Sequence, residues 1–319
     1  MPVSVPAAVL RMRSSVRLGW RHAQPAQRSA VLVGAALVAV GLVHGVLWLV
    51  LGGSAQGPLS WRKPTTFGIS FGVTTITLAW VSPYLALPRR WVSGSVLAVA
   101  AANTYEVAWV SLQHARGVAS HFNDSTALDG ALFLVAGVAI GVTFAVIALY
   151  TVCSFTRLRQ TASASLALGL RVGLIVLLVS MAAGAWMIVR GMAFQLEPTQ
   201  VAGEGSIKSL HAVGMHGVQV VGILGWVLSS VAMAEVARLR LVAAAAVGYV
   251  LLTVTVGVLT LAGAPPLGGG ALGWVALLLA LGLVVAPWSV TLVAVLRDEG
   301  PQPFASGPVG RTAETAHPG

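Results

Sequence analysis

Residues 270–296 read GALGWVALLLALGLVVAPWSVTLVAVL, a run without one charged side chain. Such a run exceeds the roughly 20 apolar residues that cross a bilayer's hydrocarbon. Seven more lie upstream, at about 29–51, 65–87, 91–114, 128–153, 168–190, 208–234 and 240–262. Lipid offers unpaired backbone amides no partner, so a spanning segment is either a helix or part of a closed barrel. The period-2 alternation of barrel strands is absent. The sequence therefore predicts an all-α polytopic transmembrane bundle of about eight spanning helices.

Composition points the same way. The chain has 319 residues, 57% of them hydrophobic and only 9% charged, against about 25% charged in a soluble domain. That is too little polar surface to coat a water-soluble body. The layout reads as a basic tail over 1–28, one transmembrane domain over 29–296 and a tail over 297–319 expected to be disordered. The first apolar stretch, Ala30 to Leu51, outruns the roughly 7–15 residues of a signal-peptide core and reads as a retained helix. Cleavage after Ala55 is the alternative. The single cysteine, Cys153, excludes an intrachain disulfide and reads as a packed thiol.

The net charge of +10 is a topology signal rather than a nucleic-acid footprint. With eight spans, both termini share a side. That side collects Arg11, Arg13, Arg17, Arg21, Arg28, Arg89, Arg90, Arg157, Arg159, Arg171, Arg238, Arg240, Arg297 and Arg311, 14 of the 19 cations. The positive-inside rule makes it cytoplasmic. Arginine outnumbers lysine 17 to 2, a skew that suggests a G+C-rich bacterial genome and hence a bacterial inner membrane. Val9, Met12, Val16 and Trp20 form an apolar stripe beside Arg13, Arg17 and Arg21. This reads either as an amphipathic helix on anionic headgroups or as a disordered basic tail.

Five cations fall on the outer side against the trend: Arg62, Lys63, Arg116, Arg190 and Lys208. Scarce polar chemistry gathers there too. Residues 111–124, SLQHARGVASHFND, form the outward end of the third span and the loop after it. On that span Asn103, Glu106 and Gln113 share one stripe. Glu106 lies about two turns, roughly 12 Å, below its outer end. A carboxylate at that depth costs a few kcal/mol unless paired, protonated or bound to a cation. His44, His114, His121, His211 and His216 place five of the seven histidines in the same leaflet. His211 and His216 are five residues apart, about 140° around a regular helix, so they meet at one metal only if the helix starts late or bulges. His216 and Gln219 share a face. Ser70, Thr74 and Thr77 form a hydroxyl stripe that suits either a cavity or helix packing. The loop 191–207, with Glu197 and Glu204, reads as a lid.

These stretches resemble a family of uncharacterised multi-pass bacterial membrane proteins. Its marks are W-x-K-P-x-x-F-x-x-S, E…Q-x-x-R-G-x-x-S-H-F-N…D and H-x-x-x-x-H-x-x-Q. Here they fall at Trp61, Lys63, Pro64, Phe67 and Ser70; at Glu106, Gln113, Arg116, Gly117, Ser120, His121, Phe122, Asn123 and Asp129; and at His211, His216 and Gln219. The loop before His211 is shorter and poorer in glycine than in that pattern. The resemblance implies that the outer-leaflet residues form a set and names no reaction.

Three chemistries fit such a set. A haem- or transition-metal-dependent oxidoreductase would use imidazole ligands such as His44 and His216, with Arg62 and Lys63 holding propionates and a quinol or other amphiphile arriving from the lipid. A metal-dependent hydrolase acting on an amphiphile would coordinate zinc through Glu106, His121, His211 and His216. A transporter or ligand-binding protein would use the same polar groups without a cofactor. The expectation leans to the first, with Glu106 as acid–base or ligand carboxylate, His121 as ligand or proton carrier and Arg116 as anion binder. The bilayer is the expected partner, and nucleic acid is not.

Overall fold

The computed structural model describes residues 5–193 and 207–298. The expected lid with Glu197 and Glu204, and the carboxyl-terminal tail with Arg311, lie outside the described residues. Among the described residues the chain folds as α1 (Ala7–His22), α2 (Pro25–Leu51), α3 (Arg62–Val81), α4 (Arg89–Ala115), α5 (Ala127–Thr156), α6 (Ala164–Ala193), α7 (Lys208–Ser229), α8 (Glu235–Leu261) and α9 (Gly270–Leu296), with no strand. Helices α2 to α9 are each long and apolar enough to cross a bilayer. The protein is a multi-pass membrane helix bundle, with spans where the apolar runs predict them.

Local chemistry sets the boundaries. The first span begins at Pro25, four residues before the expected position, because proline is harmless in a first helical turn. Gln24 and Gln27 also form a reciprocal cap there. Thr126 caps α5 by accepting from the Asp129 amide. Helix α7 is not regular, since a turn at Met215–His216 leads into a π-helical segment at Val218–Gly222. Side chains of neighbouring helices take up carbonyls along it. The Tyr249 hydroxyl donates to Val213 O at 2.6 Å, and Trp288 Nε1 donates to Val220 O at 3.2 Å.

Hydrogen bonds define two faces. Gln27 Nε2 donates to Ser82 Oγ, Ser93 Oγ to the Gln24 side chain, and Arg171 Nε to Ser154 O, while Glu235 accepts from the Ser165 amide. These contacts join the starts of α2, α4, α6 and α8 to the ends of α3 and α5 on one face. Thirteen of the eighteen described cations belong to it. Arg171 and Glu235, which sequence alone leaves as lone polar groups near this face, are thus interhelical ties. Helix α1 docks here as well, resolving the choice between amphipathic helix and disordered tail. Ala8, Val9 and Met12 pack against Val227, Val231 and Val295. Arg11 pairs with Asp298, whose carbonyl accepts from the Ala7 amide at 2.7 Å. Val16 and Trp20 of the expected stripe stay exposed.

The least hydrophobic spans, α3 and α4, are the most enclosed, while α2 and α9 are the most open. Burying the polar helices is what a bilayer demands, because lipid cannot solvate their hydroxyls and amides. Cys153 is buried in the main apolar core with Tyr150, Leu170 and Leu174. Close packing rests on glycine. A Cβ on Gly68 would lie 2.5 Å from Gly41 Cα, and one on Gly72 would lie 2.5 Å from Gly34 O. Helices α2 and α3 therefore touch backbone to backbone, the small-residue contact of membrane helices. Gly169 and Gly173 of α6 make a second seam with α7.

The Gly68→Val variant should lose about 1–3 kcal/mol through overpacking and melt earlier in detergent. A Cβ on Gly137 meets nothing within 4 Å, so Gly137→Ala should melt like the parent. Equal melting of the two variants would contradict the seam.

Candidate functional site

The opposite face is built on the ends of α3, α4 and α7 and on the loop after α4. Trp61 stands at its centre. Its ring meets His114 edge-on at a centroid separation of 4.4 Å and His44 at 6.3 Å. His44 Nδ1 is bound at 2.9 Å to Val40 O, one turn back on α2. Two of the predicted histidines thus flank a tryptophan.

His121 occupies a different neighbourhood. Trp109, Phe67, Phe133 and Phe122 surround its ring at centroid separations of 4.8, 5.5, 6.2 and 6.5 Å. Its Nδ1 lies 2.9 Å from Ser120 Oγ, which in turn accepts from Lys63 Nζ at 3.5 Å. Burial in the ring cage pushes the imidazole down to about 3, with Lys63 and Lys208 acting in the same direction. A base that weak is poorly matched to proton transfer near neutral pH. Burial thus favours the neutral imidazole at His121.

Arg116 also differs from expectation. Its guanidinium donates to Asp129 Oδ1 at 2.6 Å and to the Gln113 side chain. Gln113 Nε2 reaches the same oxygen at 2.8 Å, and Thr126 Oγ1 donates to Oδ2 at 2.7 Å. Asp129 is 1% exposed, so the arginine neutralises a buried carboxylate and clasps α4 to α5. Removing either partner would strand a charge, the costly way to break such a pair.

The loop between α4 and α5 is knitted by its own side chains. Asn123 donates to Ala119 O at 3.0 Å and accepts from the Ser125 hydroxyl at 2.6 Å. Gly117 has φ +70°, and Phe122 is the non-glycine residue with positive φ, at +56°. Holding Phe122 there costs on the order of 1 kcal/mol or more, offset by ring contacts with His121 and with Phe133 at 5.5 Å.

Deeper along α4, Asn103 is fully engaged. It donates to Thr75 Oγ1 at 2.8 Å and to Phe71 O at 3.3 Å, and accepts from Thr143 at 2.9 Å. Glu106, one turn nearer the site face, is 3% exposed, and no donor among the described residues bonds to it. Trp109 is 2% exposed with its Nε1 unbonded. The hydroxyl stripe of α3 proves structural in part, since Thr77 is bonded to the Gln219 amide at 2.9 Å. With its oxygen turned to Thr77, Gln219 also donates to the carbonyls of Met215 and His216, at 3.1 and 3.2 Å.

The remaining histidines stand apart. His211 lies against α6, with Nδ1 at 2.7 Å from Ser180 O and its own carbonyl accepting from Ser180 Oγ at 2.6 Å. A Cβ on Gly184 would come within 3.0 Å of its ring. His216 is exposed on α7. Helix α7 begins before His211, and a turn at Met215–His216 interrupts it ahead of the π-helical segment. Among the described residues no three of His, Cys, Asp or Glu come together as a metal-ligand group. Glu106, His121, His211 and His216 therefore do not converge.

Cations do converge. Lys63 lies in the electrostatic field of Lys208 and Arg62, and Lys208 in that of Arg62. None of the three has a carboxylate partner among the described residues, whereas Arg11, Arg116 and Arg238 each have one. Lys208 and Ser120 are residues that spacing arguments pass over. The available signal was that both lysines of the chain fall on this face.

The chain matches no known protein-family profile, no curated protein and no solved structure.

The caged imidazole gives a pH prediction. In the unfolded chain His121 would titrate at about 6.5, and in the folded protein at about 3. The unfolded state then binds the extra proton, so this contribution is full above about pH 6.5 and drains as pH falls toward 3. Stability measured against pH should fall less steeply below 6.5 in His121→Asn than in the parent. An NMR titration should show one imidazole still neutral at about pH 5. If every imidazole of the folded parent protonates near 6.5, the cage does not hold His121 as described.

Proposed function

We propose that this is a bacterial inner-membrane protein with both termini in the cytoplasm, which binds an anionic amphiphile in the outer leaflet at Arg62, Lys63 and Lys208. The observation that carries the reading is a cluster of three cations with no carboxylate partner among the described residues. Like charges held near one another repel, and a bound anion removes that cost. The cluster sits where α3 and α7 begin, at headgroup level. The half-buried rings of Trp61, Phe67, Phe122 and Phe133 on the same face suit a ligand with an apolar body. The orientation is supported by the crowding of arginine on the other face.

The oxidoreductase and hydrolase readings draw less support. A hydrolytic metal centre needs converging ligands, and the expected set is dispersed. His44 Nδ1 bonds Val40 O and His211 Nδ1 bonds Ser180 O, which leaves Nε2 of each as the nitrogen a metal would take. Ser120 beside His121 has the form of a nucleophile and base, but so weak a base leaves the hydroxyl inactive. Binding, for reception or transport, needs none of these.

In mild detergent, tryptophan fluorescence should report binding of an anionic amphiphile and little response to its uncharged analogue. Lys63→Gln and Lys208→Gln should each weaken binding by about 5–20-fold, and added salt should weaken it further. Undiminished binding in both variants would overturn the proposal. So would a Soret band or stoichiometric metal in the purified protein, which would restore the redox reading.

A further inference from the structure

We infer that the anionic group is a phosphate, seated at the amino terminus of α3 by the Ser60 hydroxyl, the Trp61 and Arg62 amides and the Lys63 ammonium. The inference rests on the anion-binding reading above and adds the chemical class of the ligand. Among the described residues the amides of Trp61 and Arg62 donate to nothing. The Lys63 amide turns back to Ser60 O at 3.1 Å, and Pro64 has no donor. A helix start with free amides carries partial positive charge and receives anions.

A second observation is independent of the helix end. Ser60, immediately before that start, is 0% exposed, and its Oγ has no hydrogen-bond partner. A buried hydroxyl left unbonded costs about 1–3 kcal/mol, which a ligand oxygen would recover. Ser60, two amides and the side chains of Arg62, Lys63 and Lys208 offer more donors than the two oxygens of a carboxylate can use. A phosphate monoester brings three terminal oxygens and up to two charges.

Access runs through the α2–α3 loop. Residues 52–57 are exposed, with Gly52, Gly53 and Gly57 at positive φ. Arg62 Nε holds this loop through Ala55 O at 3.2 Å, and Trp48 Nε1 holds it through Gly53 O at 3.3 Å. An incoming phosphate competes with Ala55 O for Arg62, so capture of the anion frees the loop from that side chain.

The ligand could be a phosphate-monoester lipid or free phosphate, and the test separates them. The full chain is placed in nanodiscs of neutral lipid and titrated with phosphatidic acid, inorganic phosphate and a fatty acid of matched chain length. Phosphatidic acid should bind more tightly than the fatty acid, and Ser60→Ala should weaken it about tenfold while leaving the fatty acid unchanged. Helical circular dichroism and monodispersity should match the parent. Inorganic phosphate binding as tightly, with the same Ser60 dependence, would identify free phosphate as the source and keep the cradle. If phosphatidic acid and fatty acid bind alike through Lys63 and Ser60→Ala changes neither, the cradle is wrong and the anion site stands. If no anion binds, both fail.

Discussion

Everything on the site face depends on how closely α3 approaches α2. Gly34 and Gly41 on one helix meet Gly68 and Gly72 on the other with no room for a Cβ. That contact draws α3 inward, where its second face reaches Asn103 of α4 through Thr75 and Gln219 of α7 through Thr77. The charged start of α3 is thereby set among the ends of α4 and α7. In lipid, helices gain little from burying apolar side chains against each other, so close backbone packing and interhelical hydrogen bonds carry the association. The protein uses both on the same helix.

The polar groups of α4 record a gradient of satisfaction. Asn103 is saturated by α3 and α5, and Gln113 is tied into the Arg116–Asp129 clasp. Between them Glu106 and Trp109 are buried without partners among the described residues. The clasp also fixes the loop that carries Ser120 and His121, so the cage around the imidazole and the position of Lys63 share one support. Electrostatics then sorts the cations of this face. Arg116 neutralises a buried aspartate, while Arg62, Lys63 and Lys208 remain uncompensated by described carboxylates.

Much of the fold was legible because one period dominates it. Eight apolar runs become eight spans with ends displaced by a few residues, at Pro25 because of its cap and at Glu235 because its carboxylate ties to the Ser165 amide. The site was legible as an address but not as an arrangement. Five histidines in one leaflet read as one cluster. The bundle distributes them to Trp61, to an aromatic cage, to Ser180 and to an exposed position on α7. Spacing along a helix shows which residues share its face and is silent on which neighbour that face meets. Arg116 illustrates the limit, since its partner Asp129 lies across a loop whose path a linear pattern does not contain.

By itself the sequence determined that this chain is a helical membrane bundle with eight segments long and apolar enough to span. Those properties follow from local composition, because transfer of a segment into lipid depends on that segment's own side chains. Tertiary structure decided which polar groups pair, that His121 sits among aromatic rings, that Arg116 pairs with Asp129 and that Arg62, Lys63 and Lys208 share one face. Pairing and desolvation depend on neighbours brought from distant parts of the chain, and those neighbours exist only once the helices have packed.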